Sequence, residues 1–250
     1  MPSSRPVLYV FAISHYCEKV RWALDYINIE YELRHVAPGV HREIAKKLGA
    51  PGTSVPILVS DGHVVQGSAE IIDWAEALAA TTSTSLIPAG PRDECLEIER
   101  RLDEVAGVHV RRFFYSEALV DYPETVKPIL TKGIPFLHKL LVSWKWQLIR
   151  KLMIKGMDLG PEQFEDSRRV IEGELDWLDG LLSSGRHYLV GDQLSRADIT
   201  AASLLAPLAT PPEHPTYQGL ELPPRLATDV LAWEKRPSIR WVREIYRQYR

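Results

Sequence analysis

Two cysteines in 250 residues, Cys17 and Cys95, leave no material for a disulfide framework. The opening MPSSRPVLYV also lacks an apolar stretch long enough for a signal peptide, so a reducing, cytoplasmic setting is expected. No uninterrupted apolar run approaches the roughly 20 residues of a spanning helix, which argues against a transmembrane segment. Neither sign of charge dominates. Thirty Lys and Arg against 33 Asp and Glu leave a net charge of −3, with no basic field to hold nucleic acid. The eight histidines and two cysteines show no His-x-x-x-His or Cys-x-x-Cys spacing, so no zinc or iron site is expected. There is no Gly-x-Ser-x-Gly elbow for a serine hydrolase and no glycine-rich phosphate loop. What is present, 45% apolar and 25% charged residues, is the composition of an ordinary globular chain.

The first part alternates between two hydrophobic periods. Val7 to Phe11 is a run of β-formers, followed by helical spacing from Glu18 to Tyr26 with Ser14 and Glu18 at its N-terminal side. Tyr31 to Val36 reads as a second strand and His41 to Leu48 as a short helix, stopped by Gly49 and Pro51. Val55 to Val59 and His63 to Gln66 read as strands joined by Asp61-Gly62, a dipeptide suited to a two-residue hairpin turn. A helix from Ser68 to Leu78 completes the order βαβαββα, a sheet with helices on its faces.

Thr81 to Ser85, followed by Pro88, Gly90 and Pro91, cannot bury a face and reads as a linker. The expected layout is therefore an α/β domain over 1–80, a linker over 81–91 and an all-helical domain over 92–250. Helical period recurs over Asp93 to Leu119, Ile134 to Lys155, Glu162 to Leu182, Arg196 to Leu208, Leu226 to Trp233 and Ser238 to Tyr249. Ser195-Arg-Ala-Asp198 before an apolar run is a capping-box variant.

The strongest chemical signal is Ile13-Ser-His-Tyr-Cys-Glu-Lys-Val-Arg21, where a strand ends and a helix begins with Ser14 and Cys17 three residues apart. A helix N-terminus favours an anion and lowers the pKa of a thiol placed there, so the turn suits chemistry on sulfur. The same residues also suit a plain N-cap and a small buried hydrophobe. His15, adjacent to Ser14, cannot face its hydroxyl as a base and reads as a solvated turn residue.

In order and spacing, these pieces resemble the glutathione transferase superfamily, with a thioredoxin-like first domain and a helical bundle as the second. The resemblance covers about residues 6–80 closely and about 92–210 by pattern. It implies that Ser14-x-x-Cys17 is the turn beside the glutathione sulfur, with Ser14 the preferred contact residue. It also implies that Pro56 is cis, that Val55 binds the cysteinyl backbone, with Thr53 and Ser54 ahead of it, and that Gly67-Ser68 holds the γ-glutamyl end. The family commonly has an acid or Gln where this chain has Gly67, so Gln66 or a partner subunit would have to meet the γ-glutamyl ammonium. A pocket for a small hydrophobic electrophile is expected around Val108, Arg112 and Tyr115. The implied protein is a homodimeric, detoxifying glutathione transferase. The alternatives are a Cys17-dependent thiol transferase or reductase, and a non-catalytic ligand-binding or membrane-associated module of the same fold.

One segment departs from the even charge. From Thr125 to Met157 there are seven Lys or Arg and no Asp or Glu, with Leu137, Leu141, Trp144, Leu148 and Leu152 at helical spacing. A basic amphipathic helix can lie on an anionic membrane. The preferred expectation is a core helix of the bundle, its cations solvated or paired with the acids of Glu162 to Asp179.

Overall fold

The computed structural model describes residues 4–79, 85–88, 90–217 and 219–250. The chain divides into two compact units, Met1–Leu86 with Lys127–Ile149, and Ile87–Val126 with Arg150–Arg250. The expected linker residues Thr81 to Thr84 lie outside the described residues. Ser85 and Leu86 are tied to Glu76, whose carboxylate accepts the Ser85 hydroxyl at 2.7 Å and the Leu86 N–H at 2.6 Å.

The first unit has the expected thioredoxin-like element order: β1 (Val7–Val10), α1 (His15–Tyr26), β2 (Glu32–His35), α2 (Val40–Leu48), β3 (Ile57–Ser60), β4 (His63–Gln66) and α3 (Ser68–Ala79). The sheet order is β2-β1-β3-β4, with β1 parallel to β2 and antiparallel to β3. Parallel β1 and β2 need a crossover, which α1 supplies. Asp61 and Gly62 both adopt positive φ, the geometry of the tight hairpin that brings Ser60 opposite His63. Leu8, Val10, Ile57, Leu58, Val20, Leu24, Ile71 and Ile72 are fully buried between the sheet and its helices.

This unit also takes Lys127–Ile149, a stretch expected in the helical domain. The loop before Phe136 abuts the sheet: a β-carbon added at Gly133 would lie 2.5 Å from His35 Nδ1. The expected single helix from Ile134 to Lys155 is two, α7 (Phe136–Trp144) and α8 (Trp146–Met157), interrupted at Lys145. Nor is it a core helix. Phe136, Leu137, Leu140, Trp144, Leu148 and Leu152 are exposed, and only Val142 of α7 and Trp146 of α8 are buried. Periodicity reveals that a helix has an apolar side, but not what that side faces.

The second unit holds α4 (Arg92–Arg101), a π-helical segment (Leu102–Ala106) and α5 (Gly107–Ala118) as one run, then α9 (Pro161–Leu182), α10 (Arg196–Ala209), α11 (Pro224–Trp233) and α12 (Pro237–Tyr249). A short helix outside the expected segments, α6 (Pro123–Leu130), has Pro128 inside it and joins the end of this unit's Ile87–Val126 stretch to the Lys127–Ile149 stretch of the first. Every residue of α10 is buried, so it forms the centre, packed on α4, α5 and α12. Six of the seven acids of α9, all but Glu162, pair with arginines of this same unit. Glu165 meets Arg225, Asp166 meets Arg112, Glu172 meets Arg168, Glu174 meets Arg101, and Asp176 and Asp179 meet Arg236. Of the two expectations for the cations of 125–157, a solvated face or pairing with these acids, the second is replaced by a set of arginine pairs, and Lys139, Lys145, Lys151 and Lys155 are exposed.

The capping box at α10 is formed as its sequence suggests. Ser195 Oγ accepts the Asp198 N–H, and Asp198 Oδ2 accepts the Ser195 N–H at 2.8 Å. Asp198 Oδ1 also accepts the Leu189 N–H at 2.7 Å. Burial pushes the Asp198 carboxyl up to about 6, against the lowering effect of these bonds. Because the folded state holds this proton more tightly than the unfolded chain, Asp198 adds stability below pH 4 that is lost as pH rises towards 6. The stability of wild type minus that of Asp198→Asn, from urea melts, should fall by about 2 kcal/mol between pH 4 and pH 7. A difference independent of pH would refute this.

Candidate active site

The strand register brings three separate segments to one end of the sheet. Tyr9 pairs with Ile57, and Ile57 pairs with Gln66. The turn after β1, the approach to β3 and the exit from β4 therefore share that end. On them stand Ser14, Val55-Pro56 and Gly67-Ser68.

Ser14 is the N-cap of α1. Its backbone is extended, and its hydroxyl oxygen accepts the Cys17 N–H at 3.3 Å. The side chain is half-buried at the positive end of α1, where developing negative charge is stabilised. Cys17 lies one turn into the same helix and is 1% exposed. Burial pushes its thiol up to about 11, more than the Ser14 hydrogen bond and the Arg21 charge lower it. A reactive cysteine needs access and a low pKa, and Cys17 has neither. His15 is buried against the Tyr16 ring at 4.6 Å, not solvated as its place in the turn suggests.

The Val55-Pro56 peptide is cis. The Pro56 carbonyl accepts the Gly67 N–H at 3.2 Å, joining the second segment to the third. Among the described residues, neither the N–H nor the carbonyl of Val55 has a hydrogen-bond partner. A half-buried peptide edge of this kind is free to pair with another extended backbone. Thr53 and Ser54 are exposed. Gln66 Oε1 accepts the Gly52 N–H and Gln66 Nε2 donates to the Ser54 carbonyl, both at 2.7 Å. Gln66 is thus committed to holding the 52–54 loop, and it cannot take the place of the missing side chain at 67.

Gly67 has φ +110°, a backbone that side chains rarely adopt. A β-carbon added there would fall 1.9 Å from Glu70 Oε2. The carboxylate of Glu70, in the first turn of α3, thus occupies the place where a side chain at 67 would begin. Sequence reasoning missed Glu70. The available signal was an acid three residues after a glycine at a helix start, a spacing that returns a side chain to the helix entrance. Ser68 opens α3, is 9% exposed, and presents its N–H and hydroxyl at the helix N-terminus.

The expected electrophile pocket fares differently. Arg112 donates to the Asp158 carbonyl and carboxylate and to Asp166, so its guanidinium is occupied within its own unit. Tyr115 is buried, edge-on to Phe114, and Val108 is half-buried. Among the described residues, no group of three or more His, Cys, Asp or Glu is arranged to hold a metal, and no helix is long and apolar enough to cross a membrane.

Residues 8–83 match the family profile described as glutathione S-transferase, N-terminal domain, and residues 150–219 match glutathione S-transferase, C-terminal domain. A probable maleylacetoacetate isomerase of Caenorhabditis elegans is 29% identical over 82% of this chain and 79% of its own length. Among solved structures, glutathione transferase GSTFuA3 of Phanerochaete chrysosporium superimposes with a TM-score of 0.65 at 16% identity, over 99% of this chain and 98% of that one. A glutathione S-transferase of Ceriporiopsis subvermispora, solved in complex with glutathione, gives 0.64 at 14% identity over 98% of both chains. The β-etherase LigF of Sphingobium sp. strain SYK-6 gives 0.60 at 23% identity, over 96% of this chain and 99% of that one.

Proposed function

The chain belongs to the glutathione S-transferase family, and on that premise we propose that it is an enzyme that transfers the glutathione thiolate to a small hydrophobic electrophile. The observation that carries this reading is the convergence, at one end of the sheet, of a capped helix N-terminus, an unpartnered peptide edge at Val55 and a second helix N-terminus at Ser68. The peptide edge of Val55 pairs with the cysteinyl backbone. Ser68 and the N-terminus of α3 take the γ-glutamyl carboxylate. Glu70, standing in the space that Gly67 leaves, meets the γ-glutamyl ammonium.

Near neutral pH a free thiol is largely protonated, and only its thiolate is a strong nucleophile. A hydrogen bond donated by the Ser14 hydroxyl, with the dipole of α1 behind it, stabilises the anion once the thiol proton has left to solvent. The thiolate then forms a carbon–sulfur bond and the electrophile loses its leaving group. The thiol-transferase alternative would need Cys17 as a thiolate, which its burial and raised pKa oppose. A second reading, that of an isomerase, is favoured by the relative from Caenorhabditis elegans. A thiolate that adds to an activated double bond and is then expelled returns glutathione unconsumed, so titrating residual thiol after turnover separates the two.

Retention on immobilised glutathione and turnover of a general aryl electrophile test the reading as a whole, and failure of both would leave a non-catalytic module. Glu70→Gln should raise the KM for glutathione about ten-fold with kcat nearly unchanged, since one charge-assisted contact to the ground state is lost. A glutathione analogue without the α-amino group should bind wild type and Glu70→Gln equally. Unchanged KM for glutathione itself would remove Glu70 from the site.

A further inference from the structure

We propose that the exposed apolar face of residues 136–148, on α7 and the first turn of α8, is a docking surface for an anionic lipid bilayer. Eight large hydrophobic residues are exposed among the described residues, and five of them lie between Phe136 and Leu148. On α7 the exposed set is Phe136, Leu137, Leu140 and Trp144, spaced to form one face, with the buried Val142 on the other. On the first turn of α8 it is Leu148, with Trp146 buried. The spacing continues across the interruption at Lys145, so α7 and α8 carry one apolar row in sequence. Trp144 is 80% exposed and Leu137 is 75% exposed, values that a folded chain seldom tolerates in contiguous large hydrophobes without a partner surface.

The charge around this row identifies the partner. Lys139 and Lys145 are exposed beside the apolar residues, and neither has an ion pair among the described residues. Lys145 lies over the Trp144 ring at 5.4 Å, which places a cation next to the most exposed aromatic residue. No Asp or Glu occurs from Thr125 to Met157. Apolar side chains with flanking lysines match the boundary between acyl chains and anionic headgroups, where tryptophan rings concentrate and lysine stems reach to the phosphates. A second copy of the chain fits poorly. A two-fold contact through this face would set its lysines against an identical set with no acid to separate them.

Flotation with vesicles tests this. Wild type should float with phosphatidylcholine vesicles containing about 30% phosphatidylserine at about 50 mM salt, and should be released at about 500 mM as the charges are screened. It should not float with pure phosphatidylcholine. Each lysine near an anionic surface strengthens binding about five-fold, so Lys139→Gln/Lys145→Gln should weaken it about twenty-five-fold. Trp144→Glu/Leu148→Glu should weaken it at least ten-fold, and both positions are exposed, so the fold should be retained, checked by far-UV circular dichroism. Three results would each overturn the proposal: absence of flotation by wild type at low salt, flotation undiminished by Trp144→Glu/Leu148→Glu, or a dimer in sedimentation that this double variant dissociates while no vesicle is bound.

Discussion

Ser14→Ala should lower kcat/KM for conjugation about a hundred-fold near neutral pH while leaving glutathione binding within a few-fold of wild type. The hydroxyl is the polar group at the N-terminus of α1 that is accessible to a bound sulfur, since Cys17 behind it is 1% exposed. Removing one preorganised donor from a developing anion typically reduces rate by about two to three orders of magnitude. The effect has a pH signature. In the proposed function the hydroxyl keeps the thiol ionised below its ordinary pKa of about 8.5, so at pH 9, where free glutathione ionises unaided, most of the deficit should disappear. A purely structural loss at the cap would weaken the protein at every pH and would not recover. Cys17→Ser should retain most activity, because the buried thiol, pushed up to about 11, does not ionise under working conditions. Full conjugating activity in Ser14→Ala, or its abolition in Cys17→Ser with the fold intact, would reverse the assignment.

The largest effect on stability is expected at Glu99. Glu99→Ala should destabilise the protein by about 3–5 kcal/mol, seen as a lowered urea midpoint. Its carboxylate forms an ion pair with Arg196 and accepts a hydrogen bond from it at 3.1 Å, and the two side chains are 4% and 2% exposed. A guanidinium left in that environment without its carboxylate loses both its countercharge and its solvation. The pair itself is a different matter, since its attraction is largely offset by the desolvation of both ions. The double variant Glu99→Met/Arg196→Met should therefore recover most of the loss. A change under about 1 kcal/mol in Glu99→Ala would show that water or another group compensates the arginine.

Several site features were legible in the sequence because they are local. Ser14 three residues before Cys17, Asp61-Gly62 between two short β-runs, and Ser195 three residues before Asp198 each specify a turn or cap through contacts among near neighbours. The cis Val55-Pro56 peptide was legible only through the family resemblance. Glu70 was not legible as a stand-in for a side chain at 67, because that inference needs the direction of one side chain relative to a glycine Cα. Of the two expected substitutes for a side chain at 67, Gln66 or a partner-subunit residue, the amide of Gln66 is engaged by Gly52 and Ser54, 14 and 12 residues away, which local sequence does not reveal.

The sequence by itself determined the order of elements in the first 79 residues and the three segments that form the candidate site, since hydrophobic period and turn chemistry are properties of short stretches. Tertiary structure alone decided which way those stretches face and what they meet. It buried Cys17 and left Ser14 accessible, paired Glu99 with an arginine 97 residues distant, engaged six acids of α9 with arginines, and turned the apolar row of α7 and α8 outward. The physical reason is that period reports the existence of an apolar side, whereas burial and partnership depend on which distant residues reach that side first.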